Sequence, residues 1–165
     1  MNYLNDKEYN YYINDIITNK EFQILDEIPH HNGTRLGHSY KVSYNSYRIA
    51  KLLKLDYISV ARAGLLHDFY VDTTKDYKKV SKKVKLYTIN HPRHAVYNSK
   101  KLFCINNKEE DIIKCHMFPL DTSIPKYLES WIVNIVDTFI STAEFAKKFS
   151  YQLNLFLLIL INIKK

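Results

Sequence analysis

Apolar residues recur along this chain at steps of three and four, and no segment alternates apolar and polar residues for more than a few positions. This spacing is typical of helices that pack one face on a core. Capping residues divide the first part of the pattern into three predicted helices. Asp6 precedes a helix over 7–18, Asn19 a shorter one to residue 28, and Thr34 a long one to residue 55.

The second half continues in the same way. Asp56 caps a predicted helix over 57–67 with so few polar residues that it must be mostly buried, and Pro92 is expected at the first position of a helix to about residue 103. Asn107 is the expected cap of a helix over 108–117, and a final helix is predicted from 127 to about 149. Its predicted apolar face consists of Trp131, Ile132, Ile135, Val136, Phe139 and Ile140. The pattern predicts an all-α fold.

A chain of 165 residues is expected to form one domain, 1–165, with a sizeable core. The apolar segment 150–163 is shorter than the roughly 20 residues that a spanning helix needs. We therefore expect it to pack on the core or to form a dimer interface, which makes a homodimer plausible. Cys104 and Cys115 are expected to be reduced thiols in a cytoplasmic protein, and two cysteines are too few for a zinc–cysteine site.

The formal net charge of +7 favours acidic partners. Much of the excess lies in a lysine-rich segment from Lys75 to Lys85, which is either a solvated helix face or a rim that faces phosphate. The fourteen tyrosines are scattered and do not form the aromatic and glycine signature of an RNA-binding sheet, so no stable complex with nucleic acid is expected.

Asp137 lies among apolar residues of the last predicted helix. Burying a lone carboxylate is costly, so Asp137 should have a cationic partner. A metal ion and the guanidinium of Arg62 are the two candidates.

The adjacent pair His67 and Asp68 ends the buried helix predicted before it. Imidazoles are common transition-metal ligands, and a carboxylate has two oxygens that can each bind one ion, so Asp68 is a candidate bridge. His38 and Asp137 would complete a first site with this pair, and His91 and His116 a second. A lone histidine is more often structural, but the set suits two ions. A hydroxide held between two ions, which also neutralise phosphoryl charge, hydrolyses phosphoesters without a protein nucleophile.

These residues resemble the HD-domain metal-dependent phosphohydrolases, an all-helical family named for its His-Asp pair. The resemblance covers roughly residues 20–147, and is closest to a small bacterial branch in which segments like those at His116 and Glu129 recur. The similar stretches are Gly37–Ser39, Ala63–Phe69, Asn90–Arg93, Ile112–Leu120 and Ile135–Asp137.

The resemblance implies a compact HD-domain bundle. It also implies two divalent ions, iron or manganese, held by His38, His67, Asp68, His91, His116 and Asp137, with His67 and Asp68 at the centre of catalysis. The His-Pro-Arg context favours His91 over His94 as the ligand. His30 and His31 are off the family pattern and are expected at the pocket rim.

The implied substrate is a nucleotide or a similar small phosphoester. Lys41, Arg93 and Asn98 are the predicted substrate contacts, with Arg93 the best candidate for a bidentate phosphate contact. Thr138 stands where many relatives have lysine, and the residues after Asp68 lack the acidic pair of guanosine tetraphosphate hydrolases. Three alternatives remain at this point: a dinuclear-iron oxygenase, a mononuclear nucleotidase, and a basic helical nucleic-acid-binding domain with a vestigial site.

Overall fold

The computed structural model describes residues 2–30, 33–70 and 84–163, and this part of the chain is mostly helical. Short 3₁₀ helices over Asn2–Asn5 and Ile24–Glu27 flank the first two α-helices. A hairpin of two-residue strands, paired antiparallel as Pro29 with Thr34 and His30 with Gly33, precedes α3. The elements are α1 Lys7–Ile17, α2 Lys20–Gln23, β1 Pro29–His30, β2 Gly33–Thr34, α3 Arg35–Leu52, α4 Tyr57–Leu66, α5 Val84–Leu102, α6 Asn107–Cys115 and α7 Leu128–Ile163. The all-α prediction is confirmed.

Helix α4 forms the centre of the fold, as its apolar sequence predicts. Val60, Ala61, Ala63, Leu65 and Leu66 are fully buried. Its neighbours are α3, with which it makes its most extensive contact, and α1, α6 and α7. A helix surrounded in this way can present its C-terminal end, residues 67 and 68, to the interior of the protein.

The contact between α3 and α4 is unusually close at Gly64. A Cβ atom placed on Gly64 would lie 2.9 Å from the Cα atom of Ser43. The Ser43 hydroxyl also donates to the Ala61 carbonyl at 2.5 Å and shares a 2.7 Å hydrogen bond with the Tyr9 hydroxyl. Gly64 therefore sets the spacing of the two helices that position His38, His67 and Asp68.

Arg62 is directed away from Asp137. Its guanidinium pairs with both oxygens of Asp15 at 2.6 and 2.9 Å, and its Nε atom donates to Glu109 at 3.0 Å. The arginine partner considered for Asp137 is thus engaged at the junction of α1, α4 and α6.

Two helix starts predicted from a cap or a proline are wrong, and α7 begins at Leu128, one residue after the predicted start. Asn106, not Asn107, caps α6, because its side chain accepts hydrogen bonds from the amides of residues 108 and 109 while Glu109 bonds back to the Asn106 amide. Helix α5 begins at Val84, so Pro92 lies inside it rather than at its first position. Proline can occupy a helix interior at the loss of one backbone hydrogen bond, which the sequence pattern alone does not reveal.

The predicted apolar face of α7 is half right: Val136 is buried, and Ile132 and Ile140 pack against the core. Trp131, Ile135 and Phe139 are exposed, by 37%, 60% and 74%, whereas Asn134 and Asp137 are buried. Asp137 and Asn134 face inward, where they make hydrogen bonds to His38 and to the His116 carbonyl, respectively, in the site described below.

Helix α7 continues to Ile163, well past the predicted end near residue 149. The described side chains of this helix end at Tyr151, so the packing expected for segment 150–163 stays a prediction. Residues 71–83, with most of the lysine-rich segment, and His31 lie outside the described residues. Within the described residues, no helix has the length and apolar character needed to cross a membrane.

Candidate metal centre

Two helix ends place histidines at the centre of the bundle. His67 follows the last residue of α4 and His116 follows the last residue of α6. Each imidazole donates its Nδ1 hydrogen to the backbone carbonyl three residues earlier: His67 to Gly64 at 2.8 Å and His116 to Ile113 at 2.7 Å. These bonds satisfy helix-end carbonyls and assign the Nε2 atom of both rings as the one that carries the lone pair.

A first group of side chains surrounds His38, in the first turns of α3. Its Nε2 atom lies 2.9 Å from Asp137 Oδ1, and its Nδ1 atom lies 3.3 Å from Glu144 Oε2. Asp137 Oδ1 is also 3.8 Å from His67 Nε2. Glu144 in turn pairs with Lys41 at 2.5 Å. His38 is therefore held between a site carboxylate and a second carboxylate behind it.

A second group lies on the other side of Asp68. Its Oδ1 atom is 3.0 Å from His91 Nε2 and 3.7 Å from His116 Nε2, and those two nitrogens are 2.9 Å apart. The other oxygen, Oδ2, lies 3.7 Å from His67 Nε2. Each Asp68 oxygen therefore faces a different group of histidines, as a bridging carboxylate requires.

The arrangement of donors fits divalent ions. Two ligand atoms that each lie about 2.0–2.2 Å from one ion are roughly 3–4 Å apart, which matches the distances within both groups. His67 Nε2 is buried and has no hydrogen-bond partner among the described atoms. With the Nδ1 hydrogen of His116 committed to Ile113, the His116 lone pair at Nε2 needs either a proton from His91 or a cation. An ion among these atoms would satisfy both nitrogens.

Side-chain pKa values favour the ligand forms of several groups. Burial would raise the pKa of Asp68, but the neighbouring His67 and His91 outweigh it and hold that pKa well below the ordinary value. Burial also opposes the lowering of the Asp137 pKa, which the hydrogen bond from His38 produces. Burial, together with the neighbouring His67 and His91, lowers the pKa of His116 to about 4.

His38 differs from His116. Burial would lower its pKa, but the hydrogen bond to Asp137 and the nearby carboxylates raise it. At neutral pH Asp68 and Asp137 are thus ionised and His116 is neutral. The carboxylates around His38 favour its protonated form, so an ion that binds its Nε2 atom would have to displace the proton there.

A cavity of about 590 Å³ opens onto these groups. Asp68, Asp137 and the rings of His30, His38, His91 and His116 form one part of its wall. Tyr70 and the segment Met117–Leu120 form an apolar part of the wall, and three hydroxyl side chains, Thr138, Ser141 and Thr142, complete it. The cavity residues from the described part of the chain include no lysine or arginine.

The three predicted substrate contacts lie elsewhere. Lys41 pairs with Glu144, Arg93 is exposed and lies 3.4 Å from Asn90, and Asn98 donates to the Phe69 carbonyl at 3.1 Å. None of them lines the cavity, so their contact with substrate stays a prediction. His94 is exposed, whereas His91 is buried beside Asp68.

Three residues at the site were not predicted as parts of it. Glu144 backs His38, and Asn134 donates to the His116 and Phe118 carbonyls at 2.6 and 2.7 Å. Asn134 precedes Asp137 by three residues and Glu144 follows it by seven, so all three lie on one face of α7. This helical spacing from Asp137 is the sequence signal that could have identified them. His30, predicted only at the rim, offers a ring nitrogen within 4.8 Å of ligand atoms of both His38 and Asp68.

The helical fold and the buried histidine–carboxylate cluster define a metal-binding helical domain. The family model of the HD domain matches residues 35–151, more than two thirds of the chain. The chain therefore belongs to the HD-domain family, a superfamily of metal-dependent hydrolases. No curated protein and no solved structure matches the chain.

Proposed function

We propose that this protein is a dinuclear metal-dependent phosphohydrolase that acts on a nucleoside monophosphate or a similar small phosphomonoester. The observation that carries the proposal is the division of the Asp68 carboxylate, with one oxygen facing His67 and the other facing His91 and His116. In this proposal His38, His67, Asp68 and Asp137 hold one ion, and Asp68, His91 and His116 hold the other. Iron and manganese are the expected metals, because both accept imidazole and carboxylate ligands.

When bound, two divalent ions lower the pKa of a water between them and neutralise negative charge on a phosphoryl group. The residues of the chain supply the rest. Asp68 and Asp137 are ionised, and the bonds to Gly64 and Ile113 orient the rings of His67 and His116. Asn134 fixes the backbone that carries His116 and Phe118.

The charge of the site supports a monophosphate. Two divalent ions bring four positive charges and the carboxylates of Asp68 and Asp137 offset two of them, while Glu144 is paired with Lys41. The remaining two positive charges would be shared between the hydroxide formed from the water between the ions and one phosphate group. A second phosphate would add charge that no described cavity side chain neutralises, since none is a lysine or arginine.

The apolar wall supports a substrate with an aromatic group. Phe118 packs edge-on against Trp131 with ring centroids 5.5 Å apart, and the Tyr70 ring lies 4.9 Å from that of His91. Rings held in this way offer faces and edges to a nucleobase. Thr138, Ser141 and Thr142 can donate to sugar or phosphate oxygens.

The proposal is tested by assaying phosphate release from nucleoside mono-, di- and triphosphates with protein loaded with Mn²⁺ or Fe²⁺. We expect release from monophosphates, two ions per chain by metal analysis, and loss of both activity and bound metal in Asp68→Asn. The matched control is Glu27→Gln, an exposed carboxylate outside the cluster.

Other results would point elsewhere. One ion per chain with activity retained would indicate the mononuclear nucleotidase. Oxygen consumption by the iron-loaded protein with no phosphate release would indicate the oxygenase. Salt-dependent nucleic-acid binding that survives loss of metal would indicate a binding domain. Each of these outcomes contradicts the dinuclear phosphohydrolase.

We also propose that two chains associate through the outer face of α7, in the cytoplasmic setting expected from reduced cysteines. Leu128, Trp131, Ile135 and Phe139 follow one another at steps of three or four, and all are exposed by 37–74%. A continuous apolar stripe on a helix is typical of an interface. The double variant Ile135→Glu, Phe139→Glu should reduce the mass in solution to the 19.6 kDa of one chain, whereas Tyr11→Glu on α1 should not. Wild-type protein at the mass of one chain would contradict the dimer.

A further inference from the structure

The hairpin before α3 carries a histidine to the metal centre. His30 is the last residue of β1 and pairs with Gly33 across the hairpin. Two hydrogen bonds join the segment before the hairpin to the residues where β2 ends and α3 begins: the Arg35 amide donates to the Ile28 carbonyl at 2.9 Å, and the Thr34 hydroxyl donates to Asp26 at 2.9 Å. These bonds hold His30 beside the helical turn that contains His38.

The His30 ring reaches the first metal group. Its centroid lies 4.7 Å from that of His38, and a ring nitrogen lies within 4.8 Å of ligand atoms of both His38 and Asp68. His30 is half-buried and lines the cavity. His30 can therefore offer a ring nitrogen to the site from the cavity, whereas the buried His67 does not line the cavity.

We propose that His30 is a further ligand of the ion held by His38. This inference rests on the metal site of the proposed function, not on the reaction. With His30, the first ion has five protein groups: His30, His38, His67, Asp68 and Asp137. The second ion has three, with Asp68 shared.

The two ions are then unequal. More protein donors would surround the first ion than the second, so solvent and substrate would exchange mainly beside His91 and His116. The Tyr70 ring packs on His91 at that position.

The experiment is a Co²⁺ titration of metal-stripped protein, followed by visible absorption, which reports the number of ligands around each ion. Wild type is compared with His30→Gly and with His94→Ala, a control that removes an exposed histidine. We expect His30→Gly to bind one of its two Co²⁺ ions at least about ten-fold more weakly, because even the loss of an outer-shell partner has an effect of about 10–100-fold. Its spectrum should change, and His94→Ala should match wild type.

Added imidazole separates a ligand from a structural role. If His30 binds metal, free imidazole should enter the space in His30→Gly and restore both the wild-type spectrum and the affinity. Unchanged affinity and spectrum in His30→Gly would overturn the proposal, as would a variant that loses affinity but does not respond to imidazole. A variant with normal metal binding and only a higher KM would make His30 a substrate contact instead, which also overturns it.

The outcome is independent of the reaction. Wild-type protein that binds two ions but releases no phosphate would refute the phosphohydrolase and leave the assignment of His30 to be decided by the titration. Active wild-type protein whose Co²⁺ spectrum does not depend on His30 would refute only the ligand.

Discussion

Gly64→Ala tests whether the spacing of α3 and α4 controls both stability and the site. The new Cβ atom would lie 2.9 Å from Ser43 Cα, while carbon atoms in contact prefer about 3.5–4.0 Å. The closest atom belongs to the backbone of a helix, so no side-chain rotation relieves the contact. The two helices must separate by more than about 0.5 Å.

The magnitude follows from two opposing effects. Overpacking a core costs about 1–3 kcal/mol, and a clash with backbone belongs at the upper end of that range. Replacing glycine by alanine within a helix contributes about 1 kcal/mol in the other direction. We expect a net loss of about 2 kcal/mol, which for a chain of this size lowers Tm by about 4–8 °C.

The assay is thermal and urea unfolding of metal-free protein, with Gly33→Ala as the control because its Cβ would meet nothing within 4 Å. The same protein is then titrated with metal, since the Gly64 carbonyl orients His67 and movement of α4 should weaken binding. A Tm of Gly64→Ala equal to or above that of wild type would refute the reasoning. So would a loss equal to that of Gly33→Ala.

Four further predictions concern the charges and the metal. Glu144→Gln should weaken metal binding about ten-fold by removing the partner of His38, and exposed Lys147→Gln should not; equal affinities would exclude this role. Arg62→Leu leaves the buried Glu109 carboxylate without its guanidinium and should reduce the free energy of unfolding, measured in urea, by about 3–5 kcal/mol. A loss under about 1 kcal/mol is typical of a solvent-exposed ion pair and would contradict this prediction. Because the pKa of His38 is raised, metal binding should release a proton and strengthen as pH rises through that pKa, whereas the metal-free protein should lose stability over the same rise; calorimetric heats that are independent of the buffer would contradict this. A chelator should lower Tm of metal-loaded protein, and an unchanged Tm would indicate that no ion had been bound.

Much of the fold could be predicted because local signals agree with the final packing. Asp6, Asn19, Thr34 and Asp56 each cap the helix predicted for them. The buried character of α4 was evident from its composition. These features depend on neighbours in sequence, where capping and periodicity are informative.

The sequence-based predictions were wrong where contacts with other helices determine which face of a helix is buried or where the helix begins. The apolar residues of α7 predict a buried face, but Asp137 and Asn134 share the opposite side and must reach the interior, so Ile135 and Phe139 face outward. The start of α5 was misplaced because proline usually marks a first turn, although a helix tolerates it inside.

The candidate site was more predictable than the faces of its helices. Asp137 stands out as an ionisable group in an apolar stretch, and the pair His67 and Asp68 follows an apolar helix, whereas His38 was placed by its fit to the ligand set. The structure brings these four residues together with His91 and His116. His30 carries no such signal, because it reaches the site through a hairpin of two-residue strands that has no periodicity to detect. Their roles as ligands remain proposals for the titrations above.

The bonds from His67 and His116 to the ends of their own helices explain why imidazole is needed at these two positions. The ring has its two nitrogens on separate sides, so one can donate backward to a carbonyl while the other points forward. A glutamine has its donor and acceptor on one carbon and cannot face both directions at these distances, and a cysteine has a single sulfur. A residue that resembles histidine in size or in affinity for metal would therefore lose either the hydrogen bond to the helix-end carbonyl or the donor atom directed at the metal centre. These two positions should tolerate substitution less than His38, whose second nitrogen faces a side chain that can move with it.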